Sequence, residues 1–314
     1  MSETTEPKIN HAIPRACGLL VIEVENSNPN GDPDRDSDPR QRPDGLGEIS
    51  PVSFKRKLRD IVEAKAEAIW PAVTARLKER NVILTDGHYD ILEKRGRDRK
   101  TIAKEIQDGT FDDKYWDARL FGNTFLESKE KTEKELGRKL ANEEWATLRR
   151  NIKSGPVQFG MGISIKPVEI RRHTETNKAG VESDKASGMA PLGCRYVVHG
   201  IYVMPFFVNP HSAHYSKCRV ADLELMLQLI PAAYPLTASK ARPSVSIRFA
   251  HYLEHVDALG SFPDLRVLEA LKQKAESLAW SETDAKRFLS EIAPKFARYR
   301  ELVSGMKITQ EQLK

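Results

Sequence analysis

The chain is poor in the features that mark secreted, membrane-bound or readily classified catalytic proteins. It has three cysteines in 314 residues. Cys17, Cys194 and Cys218 are odd in number and widely spaced, which fits a reducing cytoplasm better than a disulfide framework. Long apolar runs are missing too. The longest, Tyr196 to Val208, is broken by His199, Gly200 and Pro205, and Met1 to Arg15 has no apolar core, so neither a membrane span nor a secretion signal is expected. No Gly-x-Ser-x-Gly elbow and no Gly-x-x-x-x-Gly-Lys-Ser/Thr loop occurs, and the carboxylates lie in no context that would tune one for acid or base work. Repeats and low-complexity tracts are also lacking. Charge of one sign is only weakly in excess: the net charge of +5 means that an anionic partner must be met by a local patch.

What is present is a soluble composition, 39% hydrophobic and 30% charged, long enough for one large domain or two. Gly18 to Val24 reads as a buried strand. Asn26 to Arg40 is a turn-forming segment rich in Asn, Pro and Asp. Ser50-Pro51 starts a helix whose apolar residues Phe54, Leu58, Ile61 and Val62 recur at helical spacing to Trp70, with Pro71 as the stop. Strands are predicted over Pro156 to Ile165, Tyr196 to Val208 and Ser244 to Ala250, and a helix over Val220 to Ile230. The order strand, helix, strand, strand, helix, strand is that of a ferredoxin-like α+β fold. Two long insertions interrupt it, Leu84 to Lys153 and Pro167 to Gly193, and connections of that length tend to be functional or disordered. In the first, Glu130, Lys131, Glu133, Lys134, Glu135 and Arg138 read as a solvated helix face. Leu265 to Lys314 reads as amphipathic helices with Ser281 as an N-cap.

Asp32, Asp34, Asp36 and Asp38 invite a calcium-loop reading, but Ser37 and Pro43 stand where the EF-hand template needs Gly and Glu, so a hydrogen-bonded turn is expected and no metal. His211, His214 and Cys218 are a weak zinc signal, with no second cluster. His251 and His255 read as surface histidines. Lys55, Arg56, Lys57 and Arg59 form the best basic patch. Lys55, Arg56 and Arg59 would share one helix face, either as an ordinary solvated surface or as a row of cations for a phosphate backbone. The strands lack the aromatics on which RRM sheets stack bases, so RNA contact would run through helix, loop and insertion.

Five motifs in register carry a resemblance: Asn28-Pro-Asn-Gly-Asp-Pro-Asp34, Phe54-Lys-Arg-Lys-Leu-Arg-Asp60, Asp117-Ala-Arg-Leu-Phe-Gly122, Gly155-Pro-Val-Gln-Phe159 and Gly200-Ile-Tyr202. In this order they resemble the major backbone subunit of type I CRISPR Cascade complexes, a crRNA-binding member of the RAMP superfamily, closest to the I-C and I-B kinds. The resemblance implies a hand-shaped protein. Its RRM-like palm would comprise residues 16–83, 154–166 and 196–263, with a helical finger insertion at 84–153, a β-hairpin thumb at 167–195 and a C-terminal helical extension at 264–314. It implies a noncatalytic, cytoplasmic scaffold without cofactor or metal. The scaffold would oligomerise along the crRNA and present it to target DNA beside the handle-binding, large and small subunits, with no membrane partner.

Under that resemblance Lys55, Arg56 and Arg59 grip phosphates, and Arg171 and Arg172 supply charge along the thumb. Asn28 and Asn30 either hydrogen-bond the RNA or shape the loop. Gln158 faces the RNA, and Phe159 either does so or belongs to the core. Met189 is a candidate wedge between bases. Relatives carry a lysine and a proline before the Gly-x-Tyr motif; here Arg195-Tyr-Val-Val-His199 keeps one cation, Arg195. Two other readings stand beside it. One is a metal-dependent ribonuclease that cuts target RNA with Asp32, Asp34 or Asp36, as in type III backbone subunits; the other is a protein-interaction domain with an incidental basic helix.

Overall fold

Ala16–Ser27 (β1) has almost no polar alternation, so it needs cover on both faces, and it lies in the middle of a sheet that provides this. The computed structural model describes residues 12–94, 96, 98–123, 128–150, 153–177, 190–275, 287–288 and 290–303. After β1 come a two-stranded ribbon, Gly31–Asp32 (β2) with Asp38–Pro39 (β3), then Leu46–Ile49 (β4) and helix Pro51–Ala64 (α1). Ser53 donates its backbone N–H to the Ser50 hydroxyl at 3.2 Å, Pro51 sits in the first turn, and Lys65 ends α1 in the left-handed region (φ 41°). The helix does not run to Trp70. A second one, Trp70–Lys78 (α2), begins there, and Pro71 lies in its first turn, where the missing N–H costs nothing, instead of stopping α1.

The first insertion holds Arg99–Gln107 (α3), Phe111–Lys114 (α4), Trp116–Phe121 (α5), Gly122–Asn123 (β5), Lys129–Leu136 (α6), Asn142–Arg150 (α7) and Lys153–Ser154 (β6). There follow Val157–Phe159 (β7), Gly162–Pro167 (β8), Ile170–Asn177 (β9), Ala190–Val208 (β10), Pro210–Ser216 (α8), Val220–Leu229 (α9), Val245–Glu254 (β11), Asp264–Ala275 (α10) and Arg298–Val303 (β12). The result is a mixed α+β structure. Its large antiparallel sheet has the order β12-β11-β1-β10-β8-β4, while β7 and β9 also pair with β10. Counting only the strands expected from periodicity, the order across the sheet is fourth, first, third, second.

Pro205 lies inside the central strand β10, where a proline is usually excluded. The registers explain it: Phe206 faces Phe159 and Val203 faces Ile163, so the partner strand slips by one residue at Gly160–Met161. Pro205 sits opposite that bulge, and its carbonyl still accepts from Gly160 N–H at 2.8 Å.

Each face of β1 enters its own core. Leu20, Ile22 and Val24 pack with Phe54, Leu58, Phe206, Leu225 and Tyr252 under α1 and α9. Cys17, Leu19 and Val21 pack with Phe249, Leu253, Val267, Leu271 and Phe296 on the other face. The C-terminal region therefore supplies the second layer over the sheet. It is not helical throughout, because Arg298–Val303 pairs with β11 as an edge strand. Ser281 lies outside the described residues. His251 and His255 are buried, not at the surface. Burial pushes the His251 imidazole down to about 4, with Nδ1 and the Tyr299 hydroxyl 3.0 Å apart. Among the described residues no helix is long and apolar enough to cross a membrane.

Candidate nucleic-acid interface

The Asn-Pro-Asn-Gly loop is held by its own asparagines. Asn28 Nδ2 donates to the Ser37 carbonyl at 2.8 Å, and Asn28 N–H donates to the Ala241 carbonyl at 2.7 Å. Asn30 Nδ2 donates to the Gly31 carbonyl at 3.0 Å, and its Oδ1 accepts the Ser50 N–H at 2.7 Å, which fixes the loop to the start of α1. Both side chains are buried, which favours the loop-shaping role for them; only Asn28 Oδ1 has no partner among the described residues. Asp36 and Ser37 turn the chain through the left-handed region (φ 50° and 64°).

The aspartates of this loop do not converge on a cation site. Asp32 accepts the Asp34 N–H at 3.2 Å and pairs with Arg40 at 3.4 Å. Asp38 pairs with Arg172, through both guanidinium nitrogens that reach it, and with Arg195 Nε at 3.3 Å. The hydrogen bond from Arg172 holds the Asp38 carboxyl below the usual range. Arg195 also donates to the Asp36 carbonyl. The loop is thus tied to the base of the β9–β10 hairpin by a small charge network. Arg171, exposed, pairs with Glu169 at 2.7 Å.

The basic run on α1 does not form the exposed row that helical spacing implies. Arg59 is buried, and its Nε donates to Asp117 Oδ2 at 2.8 Å. Arg56 donates to Asp60 and Glu63, both at 2.6 Å, and to the Glu93 carbonyl. Two cations of the run, Lys55 and Lys57, have no ion pair or side-chain hydrogen bond among the described residues. Lys55 Nζ lies 5.0 Å from the centroid of the Phe121 ring, which Arg59 also approaches. Burial, and then Arg59, pushes the Lys55 ammonium down to about 8. Lys57 is buried, and burial followed by the charge of Arg242 lowers its pKa as well. Arg242 Nε in turn is buried without a hydrogen-bond partner. Lys57 was named in the basic patch but given no phosphate contact, although it lies three residues after the core residue Phe54 and so borders the apolar stripe; Arg242 was not singled out from the sequence.

Two sequence motifs prove to be structural. Asp117 also accepts the backbone N–H groups of Leu92 (2.7 Å) and Glu93 (3.1 Å). Arg119 donates to both oxygens of Asp222, at 2.8 and 2.7 Å, and to the His88 carbonyl at 2.7 Å, joining the insertion to α9. Gly122 (φ 84°) and Gly155 meet where β5 pairs with β6, and a Cβ on Gly155 would stand 2.3 Å from Gly122 N. Phe159 is core, 5.0 Å from Phe54 and 5.3 Å from Phe206 between ring centroids. Gln158 is exposed on the opposite side of β7, away from Lys55, and donates to the Gly155 carbonyl at 3.0 Å. Met189 lies outside the described residues. His211 and His214 pack edge-on against Tyr215 and form no ligand cluster with Cys218 among the described residues.

Desolvated lysines on α1 thus share the chain with a β9–β10 hairpin that carries Arg171, Arg172 and Arg195. The family described as CRISPR-associated protein Cas7 matches residues 15–294, and the chain belongs to it. A CRISPR-associated protein Cas7 of Haloferax volcanii is 29% identical over 212 residues, which make up 66% of this chain and 60% of the relative; the chain thus spans under two thirds of that relative's length. Among solved structures, a chain of a CRISPR RNA-guided surveillance complex, pre-nicking, matches over 89% of both chains with a TM-score of 0.43 and 15% identity. A chain of the Type III-B Cmr-beta complex bound to cognate target RNA matches over 77% of this chain and 61% of that one, with a TM-score of 0.37 and 9% identity.

Proposed function

We propose that this chain is a noncatalytic scaffold that grips the backbone of a CRISPR RNA without reading its sequence. In this reading it lines up with further copies of itself and leaves the guide bases free to pair with target DNA in a type I Cascade complex of the I-C or I-B kind. One observation carries the reading. Lys55 and Lys57, on the helix that follows the asparagine loop and β4, are held partly or wholly out of water with no ion pair among the described residues. A buried ammonium without a counter-ion costs free energy that an arriving phosphate oxygen would return. Sequence-independent binding requires contacts of this type, to phosphate rather than to base edges.

In the same reading the four-stranded centre with α1 and α9 is a ferredoxin-like palm, residues 84–153 are fingers, and the β9–β10 hairpin is a thumb. Arg171, Arg172 and Arg195 then lie along the thumb, where their carboxylate partners can be exchanged for phosphate. The pairing of Asp32 with Arg40 and of Asp36 with Arg195 supports a scaffold over an RNA-cutting loop. Partners would be the crRNA, target DNA through the guide duplex, and the handle-binding, large and small subunits.

Purification from cells that transcribe a CRISPR array checks this directly. The protein is expected to elute with short RNA of discrete length and to leave complementary RNA intact in magnesium. Elution free of RNA, or magnesium-dependent cleavage that disappears in Asp32→Ala, would contradict it.

A further inference from the structure

Two clusters among the described residues bring cysteine, histidine and carboxylate ligand atoms within 4.8 Å of one another: Cys17 with His255 and Asp264, and His173 with Glu175 and Cys194. They differ in what already occupies their lone pairs. In the first, Ser261 N–H donates to His255 Nδ1 at 3.0 Å, so Nε2 carries the proton and donates to Asp264 Oδ1 at 2.7 Å, where a metal would have to sit. Arg15 holds the other Asp264 oxygen at 3.3 Å, and burial pushes the Cys17 thiol far up. That cluster is complete as a hydrogen-bond network.

The second cluster is exposed, and its imidazole is held more loosely, 3.4 Å from Glu175 against 2.7 Å between His255 and Asp264. His173 lies directly opposite Cys194 in the β9–β10 register, which places their Cβ atoms about 4.5–5.5 Å apart. Glu175, two residues further along β9, points to the same face. His173 and Glu175 are exposed and Cys194 is half-buried, so a cation has access. The His173 ring is braced edge-on against Tyr196, 5.4 Å between centroids, and its Nε2 lies 3.4 Å from Glu175 Oε1. Lys240 holds the other oxygen, Oε2, at 2.6 Å. This is the arrangement in which an outer partner orients a ligating carboxylate. One nitrogen, one oxygen and one sulfur donor select a borderline-soft cation and disfavour magnesium and calcium.

We propose that His173, Glu175 and Cys194 form a zinc site, with three protein ligands and water in the fourth position, that clips β9 to β10. Exposed two-stranded ribbons hold their register weakly, and a metal bridging directly opposed residues fixes it.

Titration of the metal-free full chain with cobalt(II) tests the site. The expected result is about one equivalent bound per chain, with a thiolate-to-cobalt charge-transfer band in the near ultraviolet. Cys194→Ser should abolish the band while its circular dichroism without metal matches the parent, and Lys240→Ala should weaken zinc binding by roughly tenfold. Absence of the band in the parent chain, or its persistence in Cys194→Ser, overturns the proposal. So does a band lost in His255→Ala but kept in His173→Ala, which would move the metal to the first cluster.

Discussion

Helix α1 and the β9–β10 hairpin both carry clustered cations, and the fold treats the two clusters in opposite ways. On α1 the insertion folds back over the helix, so Arg59 is buried with Asp117 and Lys55 is half-buried over Phe121. On the hairpin, Arg171 and Arg172 are exposed; Arg171 is matched to the exposed Glu169, and Arg172 reaches from solvent onto the buried Asp38. Charges taken out of water interact strongly and are costly to unpair; charges left in water are screened, and their partners exchange cheaply. The first cluster therefore combines an architectural ion pair with cations poised for an anion, whereas the second is adjustable.

The sharpest break of this contrast is Asp117→Ala. It leaves Arg59 buried without its counter-ion and removes the acceptor of the Leu92 and Glu93 N–H groups, so a loss of about 3–5 kcal/mol is expected in the free energy of urea unfolding. A loss below about 1 kcal/mol would show that Arg59 finds water and that the insertion does not seal α1.

A smaller effect is expected from pH. Phosphate favours the charged form of Lys55, whose pKa in the free protein is depressed to about 8. Binding is then accompanied by proton uptake once the pH exceeds that value. Affinity for RNA should be nearly flat up to pH 7 and fall roughly tenfold between pH 7 and 9 from this residue, with Lys55→Arg removing the fall. An equal fall in Lys55→Arg would assign the titration elsewhere.

The smallest effect belongs to the hairpin. A double-mutant cycle of Asp38→Ala with Arg172→Ala should return a coupling of less than about 1 kcal/mol in stability, because the Arg172 side chain is 63% exposed. A coupling of several kcal/mol would erase the distinction between the two clusters.

Much of the sheet was legible in the sequence because β1, β10, β11 and α9 are marked by local periodicity and by turn residues. The ends of the chain segments were less so. Arg298-Tyr-Arg-Glu-Leu-Val303 has the charge of a surface helix, yet it is an edge strand, a place where charge guards against pairing with other chains. Of the candidate site, the loop and the basic run were legible by position, but their partners were not. Nothing local to α1 reveals that residues 90–93 and 116–121 will cover its second face, so Arg59 read as solvent-facing. Asn30 likewise read as a residue for RNA or for the turn, and only the fold brings its Oδ1 to Ser50 N–H.

The central claim is that Lys55 and Lys57 meet phosphate. The salt dependence of RNA binding by the parent chain and by Lys55→Gln with Lys57→Gln tests it most directly. Two lost contacts should flatten the slope of log K against log salt by about 1.4, at roughly 0.7 per phosphate, and by the same amount for RNAs of unrelated sequence. A folded double variant with an unchanged slope would contradict the account.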